Sequence, residues 1–418
     1  MLAAHIRTNL NRGARIRALD VTRGVTNVIG RRYLNSTTQA LASDNSVVPS
    51  STTSTLSSSP VSSASSLSTG ATPPLIFGQE PERRIRRSIF YVPGSDERKL
   101  KSSLSLTADC LVYDLEDGVA HNRKNVAREM VFDALEASEH KKAEKAVRIN
   151  AVGSGLEFDD LNVVLRSSRL QAIVIPKVQS AKDIQFVSHM VDSVAPSVTR
   201  KNVRIIASIE SALGIMNLKE IATADPRVDA LVFAAEDYCA DLGLTRTREG
   251  TEMLFGRSAI VTAAHAYGLQ AIDLVCMDYK NDEILKDECE FGRRMGFLGK
   301  QAVHPRQIEI IQRCFLPTEH EIARAADISE GYYEHAKRGV GAFNYNGKVI
   351  DLPVVKWAEK ILSRARQGNV TIPTPEERLK ILQAGIPAAT SSSTTVATTT
   401  GPAGTTPSGK KDSSAQSA

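Results

Sequence analysis

The residues best suited to chemistry in this sequence are carboxylates at the ends of short apolar runs. They are Asp114, Glu116 and Asp117 in DLEDG, Glu210 in IESALG and Asp237 in FAAEDY. The runs before them, CLVY, VRIIAS and DALVF, read as buried strands. On that reading Glu210 and Asp237 end adjacent strands and point into one mouth. Two like charges ~5 Å apart repel by roughly 3 kcal/mol at an effective dielectric of ~20. Either protons are retained or a cation neutralises the pair. No His or Cys cluster accompanies them, so the donors are all oxygens. Such a set suits Mg2+, with waters and substrate oxygens completing its shell. Glu210 and Asp237 are therefore the expected metal ligands. Asp114, Glu116 and Asp117 form a supporting acidic cluster with two open readings: a direct role at the metal, or a rim of ion pairs with Arg148. Arg148, in VRIN, is the one guanidinium at a strand end. It suits holding a carboxylate or an oxyanion that develops during reaction.

The elements that must position these residues recur regularly. Apolar runs at 88–92, 109–115, 145–150, 171–176, 203–209, 229–234, 270–275 and 299–303 are the strand candidates. Amphipathic stretches at 122–138, 156–168, 180–194, 213–223, 248–267, 282–295 and 305–314 are the helix candidates, with a short helix expected in 95–107. Eight strands, each followed by a helix, predict an α/β protein: a (β/α)8 TIM barrel with a C-terminal helical extension. A doubly wound sheet would carry a Gly-rich fingerprint after the first strand, and YVPGSDER is not one. Polar residues fall at every strand end: Tyr91, Asp114, Arg148 and Asn150, Lys177, Glu210, Glu236 and Asp237, Asp273 and His304. The C-terminal mouth of a barrel is where its active site is built. Beyond residue 318 the pattern predicts a helix at 319–337, a Gly-rich turn, then Asp351, then a helix at 354–366. That segment is long enough to reach over a barrel mouth.

Composition narrows the class of function. The net charge is +5, but Arg7, Arg12, Arg15, Arg17, Arg23, Arg31 and Arg32 face only Asp20 in the first 35 residues. The remainder is close to neutral and has no basic stripe interleaved with aromatics, which argues against a nucleic-acid partner. Residues 1–35 read as a mitochondrial transit segment, which implies the matrix. No run of about 20 apolar residues is present, so no membrane-spanning helix is expected. Residues 36–82 and 388–418 are Ser/Thr-rich and read as a disordered linker and a disordered tail. The barrel is assigned to 83–318, and the extension carrying Asp351 to 319–387. The five cysteines, Cys110, Cys239, Cys276, Cys289 and Cys314, are odd in number with no CxxC pair. This argues against a disulfide framework and a zinc site.

The segments SIFYVPGSDERKL, YDLEDGVAHNRKNVAR, VRINAVGSG, IPKV, IESALGIMNL, FAAEDY, AIDLV, GKQAVHPRQI and GAFNYNGKVIDLPVVKWA carry a resemblance. In order and content they resemble the citrate lyase β-subunit-like proteins of the HpcH/HpaI aldolase superfamily. The resemblance implies that Glu210 and Asp237 bind Mg2+ and that Arg148 contacts the reacting carbonyl and its enolate. It places Tyr91 and Arg98 on the CoA portion of an acyl-CoA substrate, with a further contact at Ser102, beside Lys101. Val303 and His304 match a substrate-lining segment. Asp351 matches the catalytic acid/base, acting on a neighbouring subunit of a homotrimer. The implied activity is Mg2+-dependent carbon–carbon cleavage of citramalyl-CoA to acetyl-CoA and pyruvate, with malyl-CoA and malate synthase side activity. Alternatives are a malyl-CoA lyase, a citrate lyase β subunit cleaving a citryl group, or, in a different class, a non-catalytic acyl-CoA-binding barrel. The last predicts loss of Glu210, Asp237, Arg148 or Asp351, and all four are present. Citramalyl-CoA and malyl-CoA differ by one methyl, a difference worth only ~1–3 kcal/mol in a pocket.

Overall fold

Val and Ile fill successive positions of the apolar runs because parallel strands in a barrel are covered on both faces. The computed structural model describes residues 84–137 and 143–384. The runs form β1 (Ser88–Pro93), β2 (Cys110–Asp114), β3 (Glu144–Arg148), β4 (Ala172–Ile175), β5 (Arg204–Ile209), β6 (Val228–Phe233), β7 (Gln270–Asp273) and β8 (Gly299–Ala302). All pair in parallel in chain order, and β8 returns to β1 to close the barrel. The protein is thus a (β/α)8 barrel. The transit, linker and tail segments assigned to 1–35, 36–82 and 388–418 lie outside the described residues.

The connections carry α1 (Glu97–Ser103), α2 (Lys124–Glu136), α3 (Glu157–Val164), α4 (Ala181–Val194), α5 (Ser197–Asn202), α6 (Ala212–Met216) and α7 (Leu218–Ala222). They continue with α8 (Ala235–Leu242), α9 (Leu254–Ala266), α10 (Asp282–Met295) and α11 (Pro305–Cys314). Local chemistry sets their ends. Asp96 caps α1 by accepting from the Lys99 amide at 3.0 Å. Asn281 caps α10, and Gly296 ends it in the left-handed conformation. Three elements differ from expectation. The helix expected over 213–223 is broken into α6 and α7 at Asn217. The short α5, after Pro196, lies between two runs and has no periodicity to reveal it. Asp237 does not end β6: the strand stops at Phe233, and Glu236 and Asp237 sit in the first turn of α8.

Strand alternation decides which strand-end residues reach the site. Ile89, Cys110, Val112, Ala146, Ala172, Val174, Ile206, Ala230, Val232 and Ile272 fill the barrel interior. Stepping two residues further along β1, β2 and β3 gives Tyr91, Asp114 and Arg148, and four beyond Ile206, one past the end of β5, gives Glu210. All four therefore share the inward face at the mouth. Asp273 has the opposite parity. It is fully buried behind the barrel, where the Arg257 guanidinium on α9 donates to both its oxygens at 3.1 and 2.6 Å. It is a structural ion pair, not a mouth residue.

The extension builds its own core. After α11 come α12 (Glu319–Ala336), an antiparallel hairpin of β9 (Phe343–Tyr345) and β10 (Lys348–Ile350), α13 (Leu352–Gln367) and α14 (Pro375–Ala384). Ile322, Ala326, Phe343, Ile350, Val355 and Leu362 pack together. Phe343 lies so close to Gly331 that a Cβ there would stand 2.8 Å from its ring. Glu321 completes a capping box with Thr318 and also accepts from Arg293 of α10 at 2.7 Å, tying the extension to the barrel.

Candidate active site

Arg148 is the centre of the mouth. Its Nε and Nη2 donate to the two oxygens of Asp114, each at 2.7 Å, a planar fork on a carboxylate. Its Nη1 lies 2.8 Å from Glu116, and its guanidinium sits 5.1 Å from the Tyr91 ring centroid. Burial opposes its charge, but the Asp114 hydrogen bonds and charge outweigh that and raise its pKa. Burial likewise pushes the Tyr91 hydroxyl up. Arg148 is thus a fixed, permanently charged donor.

Asp114 is fully engaged. Beyond Arg148 it accepts from the Glu116 and Gly118 amides, each at 2.9 Å. A Cβ at Gly118 would run into the Asp114 carboxylate, so the tight DLEDG turn requires glycine there. Of the two readings of the acidic cluster, the geometry of Asp114 is that of the ion-pair rim. Lys124 holds the same turn from beneath: its ammonium donates to the Leu115 and Glu116 carbonyls at 2.7 and 2.8 Å and to Asn150 at 2.7 Å. Asn150 in turn donates to Asp160.

Lys177 links the cluster to Glu210. It adopts φ +52°, a left-handed conformation costing a non-glycine residue about 1–2 kcal/mol. From there its ammonium pairs with Glu116 and stands 3.5 Å from Asp117 and 3.9 Å from Glu210. Burial pushes the Glu210 carboxyl up to about 7, against hydrogen bonds from the Ser208 side chain and the Lys177 amide. A carboxyl this dry, whose one neighbouring ammonium is committed to Glu116, fits a bound cation. Asp237, half-buried on α8, has no ion-pair or hydrogen-bond partner among the described residues. Among those residues no group of three or more His, Cys, Asp or Glu side chains could hold a metal. Two carboxylates with waters and substrate oxygens suit Mg2+ in that setting.

A cavity of about 800 Å³ opens at the mouth. Tyr91, Arg98, Ser102, Asp114, Asp117, Arg148, Val303 and His304 line it together, joined by Lys99 and Gln301. Arg98 and Ser102 are one turn apart on α1, and the Ser102 hydroxyl donates back to the Arg98 carbonyl at 2.8 Å. His304 caps α11, accepting from the Arg306 amide through Nδ1, and stacks on Tyr279 at 4.9 Å. Glu116, Glu210 and Asp237 are not among the lining residues; Glu116 reaches the cavity through Arg148, and Lys177 joins Glu210 to Glu116. Asp351 lies apart, exposed at the N-cap of α13, where its side chain makes no capping bond. Sequence reasoning gave no role to Lys124, Lys177 or Gln301. Only the positive charge of Lys177 at a strand end signalled it.

Comparison with known proteins decides the family. The pattern of the HpcH/HpaI aldolase/citrate lyase family matches residues 87–305. The chain belongs to the HpcH/HpaI aldolase/citrate lyase family. Within that family it is 39% identical over 290 residues to the mitochondrial citramalyl-CoA lyase of Homo sapiens, spanning 67% of this chain and 85% of that protein. It is 36% identical over 287 residues to the citrate lyase subunit beta of Haemophilus influenzae, spanning 68% of this chain and 98% of that one. The crystal structure of protein CitE from Mycobacterium tuberculosis, in complex with magnesium, acetoacetate and coenzyme A, is similar with a TM-score of 0.56 at 28% identity. That similarity covers 68% of this chain and 98% of CitE.

Proposed function

We propose that this HpcH/HpaI-family chain is a Mg2+-dependent carbon–carbon lyase that cleaves citramalyl-CoA to acetyl-CoA and pyruvate. The observation that carries the reading is Arg148, locked by Asp114 at the mouth of a cavity large enough for an acyl-CoA. Kinship with a citramalyl-CoA lyase and with a neighbour solved with magnesium and coenzyme A supports the substrate class and the ion. Glu210 and Asp237 would hold Mg2+, which when bound would supply a Lewis acid for the cleavage.

This chain's own residues then do the following. Tyr91, Arg98 and Ser102 hold the CoA portion, and Val303 and His304 line the acyl end. Asp351, from a neighbouring subunit of a homotrimer, takes the hydroxyl proton. The bond between the carbinol carbon and the methylene breaks, and its electron pair moves into the thioester as an enolate. Arg148 holds that enolate oxygen, a donor aimed where charge develops. Protonation on carbon gives acetyl-CoA, and pyruvate is the other product. The basic leader and the mitochondrial relative support a mitochondrial location, in the matrix.

The test is a side-by-side assay of the full chain with citramalyl-CoA, malyl-CoA and citrate, with and without Mg2+. The expected result is acetyl-CoA release from citramalyl-CoA that is fastest of the three, lost in excess EDTA and lost in Glu210→Ala. Full turnover in EDTA overturns the metal role; no turnover of either CoA ester overturns the lyase.

A further inference from the structure

A second cavity lies at the opposite end of the barrel, between the N-terminal ends of β1, β7 and β8 and the C-terminal half of α13. Its volume is about 190 Å³, too small for a CoA ester. Its lining includes Arg84, Arg86, Arg87, His265, Lys360 and Arg364, and no Asp or Glu among the described residues. The charges are not equally balanced. Arg84 and Arg86 pair with Glu144, and Arg86 also pairs with Asp229. Arg87 pairs with Asp109 at 2.8 Å, and the His265 ring contacts the Gly296 carbonyl. Lys360 and Arg364, one turn apart on α13, have no hydrogen-bond or ion-pair partner among the described residues.

Arg364 is half-buried and in an unfavourable place for a cation. Burial lowers its pKa, and the neighbouring Arg293 lowers it further. The carboxylate that opposes this is Glu321, but both its oxygens already accept from Arg293, at 2.9 and 2.7 Å. The uncompensated charge of half-buried Arg364 therefore faces the cavity, with the exposed Lys360 at its rim, beside the hydroxyl of Ser363 and the amide of Gln367. An unpaired, partly buried charge is costly unless something pairs it.

We propose that this cavity is a second binding site, for a small doubly negative oxyanion of the phosphate or dicarboxylate class, held by Arg364 and Lys360. Charge-assisted bonds from a guanidinium and an ammonium are the chemistry such an anion takes. The anion also pins α13, whose other end carries Asp351, to the base of the barrel. The proposal is independent of the reaction assigned to the mouth.

Calorimetric titration of the full chain with inorganic phosphate and, separately, with succinate tests it. One saturable site per chain is expected for at least one of them, and which anion binds identifies the source. Losing one charge-assisted contact weakens binding about tenfold or more, so Arg364→Gln and Lys360→Gln should each do so, while Arg364→Lys retains most of it. Arg98→Ala, at the mouth, leaves the affinity unchanged. Without anion, Arg364→Gln melts no lower than the parent, because the guanidinium has no partner to lose. With anion, the parent's melting temperature rises more than that of Arg364→Gln. The proposal is overturned if neither anion saturates up to on the order of 10 mM. It also falls if Arg98→Ala abolishes binding, or if the affinity is unchanged in both Arg364→Gln and Lys360→Gln.

Discussion

Arg148 owes its usefulness to being over-determined. Asp114 fixes its plane through two parallel bonds, Glu116 lies against its third nitrogen, and Tyr91 covers one side. A lysine keeps the charge but not the fork. Arg148→Lys should therefore lower kcat by about 10²–10³-fold, the usual loss when one oxyanion donor goes, with little change in KM. Steady-state kinetics alongside a thermal melt checks this; an unchanged kcat in a folded variant removes Arg148 from the reaction. Asp351 is the reverse case. It is exposed, and its side chain makes no hydrogen bond or ion pair among the described residues. Its assigned proton transfer makes Asp351→Asn lose about 10²–10⁴-fold in kcat while CoA affinity, measured by titration, stays the same. Undiminished turnover would sink the assignment.

At the scale of elements, the mouth depends on one tight turn after β2. Gly118 is the residue on which it closes, since its amide reaches Asp114 and its missing Cβ leaves room for that carboxylate. Gly118→Ala must push Asp114 away and drag Arg148 with it. A displacement of about 1 Å at reacting groups costs roughly 100-fold in rate. The expected result is a drop of that order in kcat/KM with a modest fall in melting temperature; full activity would show that the turn can give without moving Arg148. The same scale explains what was legible beforehand. Eight strands and their order could be read because each run is short, Val- and Ile-rich and bounded by amphipathic stretches. Tyr91, Asp114, Arg148 and Glu210 were readable because strand ends at a barrel mouth are few. Asp273 was misplaced because a continuous apolar run conceals which face each residue takes. Asp237 was put on a strand because α8 starts without a side-chain cap: Ala234 stands at its N-cap and offers no oxygen. The links through Lys124 and Lys177 join residues far apart in sequence, and no local spacing encodes them. The role of Asp351 came from resemblance alone, since nothing in its surroundings distinguishes it.

At the scale of the whole molecule, the two ends of the barrel use charge differently. The mouth keeps donors and carboxylates partly open to a cavity, whereas the base buries Arg86, whose side chain is 0% exposed. Arg86 donates to both oxygens of Glu144, on β3, and to Asp229, on β6, so it ties together strands far apart in the barrel. Removing one partner of such a buried set leaves a charge stranded and typically costs about 3–5 kcal/mol. Glu144→Gln should fall at the low end, near about 3 kcal/mol, because Asp229 remains. The loss should depend on pH. Burial opposes the Glu144 charge, but Arg86 and Arg84 outweigh it and hold its pKa below the usual 4.5. The unfolded chain therefore binds that proton more readily than the folded one, and stability from Glu144 is fully present above the unfolded value. It is lost as pH falls through the depressed folded value. Denaturant unfolding of the parent and of Glu144→Gln should give curves separated most at neutral pH, converging only below the ordinary glutamate range. A separation that stays constant down to acid pH would mean that shape, not the Glu144 charge, is what Arg86 requires at the base of the barrel.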